Sequence, residues 1–272
     1  MNLENYFIAQ FQNKHIGDDG ALIGKSVYSK DAFFENVHFK TEWMTHYQIA
    51  KKAMLVNISD AVAMNAKPKY ALLSVAMPSS ITKAQMRELA NGFKDVAKEF
   101  GIAIIGGDTI GNTKLDITIT IISEVVHPLL RKGLRSGDLL AYTGELGRSK
   151  KELQKLLRLG KIHKTSKFVN IQLRDEFVRR SRTLLHVGMD ISDGLLSDLE
   201  KLAKVNSLGF DFIQKISKEV ACSGEEYEML VAFSPRNKKA LLRRAQQTRT
   251  PLNIFAKAQR KKYINRCKAH HF

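Results

Sequence analysis

The sequence predicts an α/β or α+β protein, and two observations carry that prediction. Segments with the three- and four-residue apolar spacing of helices alternate along the chain with short apolar or alternating runs typical of strands. The chain has 272 residues, 44% of them hydrophobic, which is enough for one large core or two medium ones. We expect two domains, with no internal repeats and no low-complexity linker.

The first half begins its regular pattern with a long helix. That helix stops before Pro68, because proline cannot continue it, and a later one ends at Gly101. The predicted elements are a helix over 49–66, a strand over 71–77, a helix over 86–100, a short buried strand over 102–105 and a half-buried strand over 115–122.

A domain boundary is predicted at His127-Pro128, giving domains 1–127 and 128–272. Pro128 breaks the preceding strand, and the charge balance changes close to the same point. Beyond a loop at 131–133, the predicted elements are strands over 138–143, 209–213 and 227–233 and helices over 150–159, 167–186, 195–205 and 235–247.

The net charge of +17 lies entirely in the second half. Residues 1–130 hold 13 Lys and Arg against 13 Asp and Glu, whereas residues 131–272 hold 31 against 14. The basic residues are scattered along predicted helices without the interleaved aromatic residues of a nucleic-acid stacking platform. We therefore expect a solvated basic surface that helps to attract anionic nucleotides, and no specific nucleic-acid partner.

The sequence shows no pattern typical of a membrane span, a disulfide framework or a zinc site. The sequence has no apolar run of about 18 residues and no signal-like N-terminus, so we expect a cytoplasmic protein with no membrane contact. Cys222 and Cys267 are too few and too distant to indicate a disulfide framework or a zinc site. Both are expected to be free thiols.

Aspartates in short turns beside glycine or serine are the main chemical signal. Carboxylates in such turns are suited to hard Mg²⁺ ions that bridge protein oxygens to phosphate oxygens. The pattern predicts a magnesium-dependent enzyme that acts on a nucleotide. The turns are Gly17-Asp18-Asp19-Gly20, Ser29-Lys30-Asp31, Ser59-Asp60, Gly106-Gly107-Asp108-Thr109 and Met189-Asp190-Ile191-Ser192-Asp193-Gly194.

A near match to a phosphate-binding P-loop is interpreted as a decoy. Residues 19–26 end in Gly24-Lys25-Ser26 but begin with Asp19 in place of glycine. A P-loop is followed by a helix whose first amides hold the phosphates, whereas Val27-Tyr28-Ser29 is strand-like.

Six motifs in order resemble the thiamine-monophosphate kinase family of the aminoimidazole-ribonucleotide-synthetase-like superfamily. They are Ile16-Gly17-Asp18-Asp19-Gly20-Ala21, Asp31-x3-Glu35-x2-His38-Phe39, Asn57-x-Ser59-Asp60-x2-Ala63-Met64-x-Ala66-x-Pro68, Ile105-Gly106-Gly107-Asp108-Thr109, Met189-Asp190-x-Ser192-Asp193-Gly194-Leu195 and Ser223-Gly224-Glu225-Glu226-Tyr227-Glu228.

That resemblance implies a fold and an activity. The fold has an N-terminal α/β domain that pairs with its copy in a homodimer, and a C-terminal α/β domain that covers active sites near the dimer seam. The activity is transfer of the γ-phosphoryl group of ATP to thiamine monophosphate with several Mg²⁺ ions. No side-chain base is needed if the acceptor is an ionised phosphate, so catalysis is positioning and charge neutralisation.

The resemblance also assigns roles to residues. Asp108, Arg131 and Asp193 are the expected catalytic residues, and Arg131 supplies a guanidinium for phosphate. The expected magnesium ligands are Asp19, Ser29, Asp31, Asp60, Asp108, Asp190 and Asp193. The expected ATP contacts are Gly107, Asp108, Arg131 and Ser192, and the expected thiamine monophosphate contacts are His38, Glu225 and Phe272.

Several positions depart from the family pattern, and two other functions stay open. Lys30 replaces a small hydroxyl residue, Glu226 replaces an aspartate, and Ala269 stands about where an aromatic residue often covers the thiamine ring. For that reason Phe272 is the candidate aromatic contact.

Two alternative functions stay open for the protein. They are an aminoimidazole ribonucleotide synthetase-like ATP-dependent ligase and a basic RNA-binding protein on a catalytically dead fold.

Overall fold

The structure is a computed structural model that describes residues 3–11 and 13–267. It contains two five-stranded sheets, one built from residues 21–124 and the other from residues 139–259. Helices flank both sheets, so the predicted mixed α/β class is confirmed. No helix in these two ranges is long and apolar enough to cross a membrane.

The first sheet has the strand order β1-β2-β5-β3-β4. Its neighbours are antiparallel except β3 and β4, which run parallel and are joined by the crossover helix α3. The elements of this half are α1 (Leu3–Ile8), β1 (Ala21–Ile23), β2 (Ser26–Phe34), α2 (His46–Ala63), β3 (Lys67–Pro78), α3 (Lys83–Phe100), β4 (Ala103–Asn112) and β5 (Asp116–Glu124).

Helix α2 is the central element of the molecule. It begins with a capping box in which the Thr45 side chain accepts from the Gln48 backbone N–H, and the Gln48 side chain accepts from the Thr45 backbone N–H. Most of its side chains are buried, because it contacts β2 and β5 of the first sheet, α3, and also β7 and α5 of the second half. The helix therefore carries its polar residues to the junction of the two halves.

The second sheet has the order β7-β9-β6-β10-β8, and all its neighbours are antiparallel. One hydrophobic core combines α2 with side chains from both halves, and the other lies between the second sheet and α6. The elements are β6 (Leu139–Thr143), α4 (Arg148–Leu157), α5 (Asp175–Ser181), β7 (Leu185–Asp190), α6 (Leu195–Asn206), β8 (Gly209–Phe212), α7 (Lys218–Ala221), β9 (Met229–Phe233), α8 (Lys238–Gln247) and β10 (Leu252–Gln259).

Two predicted elements are wrong in extent. The helix over 167–186 is reduced to α5 and one turn of 3-10 helix at Arg182–Leu184, because the preceding residues form a loop whose Lys167 and Arg174 side chains pair with buried carboxylates. The short buried strand over 102–105 is the longer strand β4, which is exposed along its whole length because it forms an edge of the sheet. Strands β7 and β10 were not predicted, and the division at residue 127 stays a prediction.

The expectation of two free thiols is also wrong. Cys222 and Cys267 form a disulfide, with their Cα atoms 5.6 Å apart. The chain after β10 returns along α6, where Tyr263 Oη donates to the Leu196 carbonyl at 3.0 Å. This return brings together two cysteines that are 45 residues apart in sequence.

Candidate active site

A cavity of about 290 Å³ lies where the loop before β1, strand β2, helix α2 and the loops around β7 and β9 meet. It gathers nine of the residues that the sequence singled out for chemistry. These are Asp19, Asp31, His38, Asp60, Arg131, Asp190, Ser192, Asp193 and Glu225.

Three carboxylates form the centre of this cavity. One oxygen from each of Asp19, Asp60 and Asp190 lies within 4.8 Å of the other two. The three residues come from the loop before β1, from α2 and from the end of β7, so only the folded chain brings them together. Asp190 is oriented by Ser59, whose Oγ donates to its Oδ2 at 2.7 Å.

Crowding and burial make these carboxylates hard to ionise together. Burial, with the charge of Asp19 next, raises the pKa of Asp190 to about 8 against the hydrogen bond from Ser59. Burial and the charges of Asp31 and Asp190 raise the pKa of Asp60 well above its usual value. One oxygen of Asp19 is buried and has no hydrogen-bond partner among the described residues.

This donor set fits a divalent metal ion. Clustered carboxylate oxygens are what Mg²⁺ prefers, and a cation would relieve the mutual repulsion that raises the pKa values. Asp31 is close enough for its pKa to be raised to about 6, first by burial and then by the charges of Asp19 and Asp193. Asp31 therefore belongs to the same field of negative charge.

Arg131 brings positive charge to one side of the carboxylates. Its guanidinium forms an ion pair with Asp19 and donates to the Gly17 carbonyl at 3.4 Å. Burial opposes its charge, but Asp19, Asp190 and Asp198 together outweigh burial and raise the pKa of Arg131. The backbone N–H of Arg131 donates to Asp18 Oδ1 at 2.7 Å, so Asp18 has a local structural role.

Asn57 fixes the β2 side of the cavity. Its side chain accepts from the Asp31 backbone N–H at 2.7 Å and donates to the Ala53 carbonyl at 2.9 Å. The Asn57 carbonyl accepts from Ser29 Oγ at 3.3 Å. Ser29 is therefore buried and hydrogen-bonded to α2, and it does not line the cavity.

A turn between β7 and α6 supplies Ser192 and Asp193. The Ser192 carbonyl accepts from the Glu225 backbone N–H at 2.7 Å, which joins this turn to the loop before β9. Lys201 Nζ lies 2.6 Å from Asp193 Oδ2 and 2.8 Å from Asp198 Oδ1. Burial opposes the charge of Lys201, but Asp198 and Asp193 outweigh it and raise the Lys201 pKa.

The sequence analysis did not identify Lys201 as a site residue. Its only signal was the three-residue spacing from Asp198 on a predicted helix, which is common on solvated surfaces. In the structure this lysine is half-buried and lines the cavity.

His38 and Glu225 also line the cavity. His38 Nδ1 accepts from the Phe34 backbone N–H at 3.0 Å, and its ring packs on Phe33 with centroids 5.6 Å apart. Glu225 Oε2 lies 2.8 Å from Nζ of Lys52, a second residue that sequence reasoning missed. Tyr227, expected in the core of a strand, is buried just before β9 and lines the cavity.

Gly107 and Asp108, like Ser29, are predicted site residues that do not line this cavity. Gly107 and Asp108 lie on β4, which β3 and β5 separate from β2 by three strand spacings, or about 14 Å. Both line a different cavity beside α3. Gly107 has φ 147°, and a Cβ there would overlap the Leu73 carbonyl, so the backbone itself requires glycine. Phe272 lies outside the described residues.

Residues 19–26 do not form a P-loop, as predicted. Gly24 and Lys25 form the turn between β1 and β2, and Ser26 begins a strand. No helix N-terminus follows the lysine, so phosphate binding through this segment has no support.

Comparisons with known proteins agree with this geometry. Residues 17–125 match the family model of the AIR synthase related protein, N-terminal domain. The chain is 33% identical to a thiamine-monophosphate kinase of Buchnera aphidicola subsp. Schizaphis graminum, over 85% of this chain and 80% of the relative. It is 32% identical to a thiamine-monophosphate kinase of Bacillus subtilis, over 74% of this chain and 67% of the relative.

The fold is similarly close to a solved structure. AaThiL complexed with AMPPCP and TMP superposes with a TM-score of 0.86 over 99% of this chain and 96% of that chain, at 22% sequence identity. This likeness concerns the whole two-sheet arrangement, including the junction that contains the cavity.

Proposed function

Since this chain belongs to the thiamine-monophosphate kinase family, we propose that its cavity transfers the γ-phosphoryl group of ATP to thiamine monophosphate, giving thiamine diphosphate and ADP. The observation that carries the proposal is the meeting of Asp19, Asp60 and Asp190 beside Arg131 in one cavity. The match spans 72% and 80% of the length of two relatives named thiamine-monophosphate kinase, those of Nitrosopumilus maritimus and Buchnera aphidicola. AaThiL was solved with TMP and with AMPPCP, an analogue of ATP.

Magnesium is the metal that this site would hold. Asp19, Asp60 and Asp190 would be its ligands, with Asp31 and Asp193 within the same acidic cavity. When bound, Mg²⁺ would neutralise phosphate charge that would otherwise keep two anionic substrates apart. Ser29 is a weaker candidate ligand, because its hydroxyl is buried and donates to the Asn57 carbonyl.

The nucleotide is oriented by residues of the second half. Arg131 lines the cavity and has guanidinium N–H groups that its contacts with Asp19 and Gly17 do not use, so it can donate to a phosphate oxygen. Ser192 lies on the turn opposite and offers a hydroxyl and a backbone amide to the same phosphates. Lys201 holds Asp193 in place and adds positive charge near the transferred group.

The acceptor is received between His38 and Glu225. A carboxylate at Glu225 suits a hydrogen bond from the exocyclic amine of the thiamine pyrimidine, and a half-buried imidazole at His38 suits the acceptor phosphate. The acceptor phosphate is already ionised, so these residues need only hold it in line with the γ-phosphorus. The role of Phe272 as an aromatic cover stays a prediction.

A second copy of the chain completes the arrangement in this proposal. Strand β4 is an exposed edge, and Tyr70, Leu72, Ile105 and Ile110 are large exposed apolar side chains on it or on the neighbouring strand β3. Such a surface is typical of one that pairs with another subunit. In a homodimer, Gly107 and Asp108 would reach the cavity of the partner copy, which accounts for their distance from the cavity in their own chain.

The direct test is incubation of the purified chain with ATP, Mg²⁺ and thiamine monophosphate, with thiamine diphosphate scored by chromatography. Formation of thiamine diphosphate with one ADP per product supports the proposal. Absence of product, with ATP hydrolysis only when an amidine ribonucleotide is supplied, would move the function to the ligase alternative. A cytoplasmic location, with its supply of ATP, stays a prediction.

A further inference from the structure

Lys52 is a buried charged residue that the phosphoryl-transfer chemistry does not use. It lies on α2, and its side chain is only 1% exposed. Lysine is almost never buried to this degree unless its charge is compensated. The compensation comes from Glu225, whose Oε2 is 2.8 Å from Lys52 Nζ, although the two residues are 173 positions apart in sequence.

Aromatic rings close the remaining side of this ammonium group. Its Nζ lies 4.0 Å from the centroid of the Phe168 ring and 5.5 Å from that of Phe33. Trp43 packs edge-on against Phe168, with centroids 6.1 Å apart. The ammonium is thus held between ring faces and one carboxylate, which fixes its position far better than a solvated lysine.

Glu225, unlike Lys52, is partly open to the cavity. Its side chain is 26% exposed, and its backbone has φ 53°, in the left-handed region that non-glycine residues rarely adopt. Its N–H donates to Ser192, so the backbone is held on the turn while Lys52 holds the carboxylate. Without that cation, the surrounding aspartates would repel the carboxylate and its side chain would be free to turn away.

We propose that Lys52 is a positioning residue for the acceptor: it holds the Glu225 carboxylate in the orientation that receives the second substrate, and Phe168 shields the Lys52 ammonium group from water. The inference rests on the proposed function, in which Glu225 faces thiamine monophosphate. It adds that the acceptor site depends on an ion pair between the two halves of the chain, one partner on α2 and the other on the loop before β9.

The test separates acceptor binding from nucleotide binding. Lys52→Met removes the charge while keeping an unbranched side chain that suits the aromatic surroundings, and Lys52→Arg keeps the charge. Glu225→Gln removes the charge of the other partner. The double variant, Lys52→Met with Glu225→Gln, completes a double-mutant cycle. Lys51→Met, one position earlier on the same helix, is the matched control. For each protein, kcat and both KM values are measured, with thermal unfolding as a check of folding.

We expect Lys52→Met to raise the KM for thiamine monophosphate by about tenfold or more, with the KM for ATP changed by less than about twofold. Because both residues act through one carboxylate, the double variant should be no worse than the poorer single variant. Lys52→Arg should recover part of the loss, and Lys51→Met should behave as the unmodified chain.

Two results would overturn the inference. One is an unchanged acceptor KM in Lys52→Met, including the case in which that variant is merely less stable. The other is a double variant whose loss is the product of the two single losses. Failure of the unmodified chain to phosphorylate thiamine monophosphate would instead overturn the proposed function, so the two failures are distinguishable.

Discussion

Replacing Asp60 by asparagine should stabilise the metal-free protein while it destroys the catalytic site. In the absence of a cation, Asp60 is pressed against Asp19 and Asp190, and its pKa is raised well above the usual value by burial and these neighbours. Asparagine has nearly the same shape but no charge. The variant should therefore lose repulsion without leaving a cavity.

The size of the effect follows from the spacing. Two unit charges 4.8 Å apart repel by about 3.5 kcal/mol at an effective dielectric constant of about 20. Because Arg131 attracts the charged form of Asp60 and offsets part of this repulsion, we expect a net gain of about 2 kcal/mol. For a chain of this size, that gain corresponds to roughly 4–8 °C in the unfolding midpoint.

Thermal unfolding in EDTA measures the stability of the metal-free protein, and unfolding in MgCl₂ measures the stability gained from the ion. The unmodified protein should gain about 2.7 kcal/mol when free Mg²⁺ is about one hundred times its Kd, since only the folded state binds the ion. Asp60→Asn should begin more stable in EDTA, gain little from Mg²⁺, and turn over at least about 100-fold more slowly. Asp175→Asn, at the exposed start of α5, is the matched control; it should be no more stable than the unmodified protein in EDTA and should gain as much stability from Mg²⁺.

A lower unfolding midpoint for Asp60→Asn than for the unmodified protein in EDTA would refute this reasoning. If Asp60→Asn were less stable than the unmodified protein without metal, the three carboxylates would not be in repulsive contact. The same holds if Mg²⁺ stabilised both proteins equally, because the ion would then bind elsewhere.

Three further predictions follow from the site and its surroundings. Arg131→Lys keeps the charge but loses the two-pronged donor geometry, so steady-state kinetics should show a kcat lower by about tenfold; equal rates would remove Arg131 from the site. If Asp108 acts across a dimer, inactive Asp108→Asn and inactive Asp60→Asn chains, once mixed and re-associated, should recover roughly a quarter of full activity, because half of the dimers hold one intact site; no recovery would place both residues in one chain's site. Arg174→Met leaves the buried Glu228 without its bidentate partner at 2.8 and 2.9 Å, so denaturant unfolding should show a loss of about 3 kcal/mol, and a loss below about 1 kcal/mol would contradict this account of the pair.

The sequence predicted much of the acidic centre because its residues carry local signals. Asp19 lies in the loop before β1 and Asp190 ends β7, next to a turn. The turn interpretation is wrong for Asp31 and Asp60, which lie within β2 and α2, but the pairing of aspartate with serine still identified both residues. These signals identify residue types suited to metal and phosphate, and the fold then places four of them in one cavity.

Residues that act through distant partners left no such signal. Lys52 resembles any other helical lysine until the fold places it against Glu225, and Cys222 meets Cys267 only because the chain returns along α6. The predicted helix over 167–186 failed for a related reason. Lys167 contributes more to the fold by pairing with buried carboxylates than by extending a helix, and local propensity is too weak to resist such contacts.

The distance of Asp108 from the cavity marks another limit of sequence reasoning. The Gly106-Gly107-Asp108 sequence predicts phosphate or metal binding, but it does not say which other site residues Asp108 will lie beside. Strand β4 lies at the edge of the first sheet, and the order of strands in that sheet depends on pairing between distant segments.

The central claim is that this chain moves a phosphoryl group directly from ATP to thiamine monophosphate at the Asp19, Asp60 and Asp190 cluster. A single-turnover experiment with ATP labelled at the γ-phosphate tests it most directly, with Asp60→Asn run in parallel. The account predicts that the label appears in the terminal phosphate of thiamine diphosphate for the unmodified chain and not for the variant. Label released only as inorganic phosphate, or equal transfer by both proteins, would contradict it.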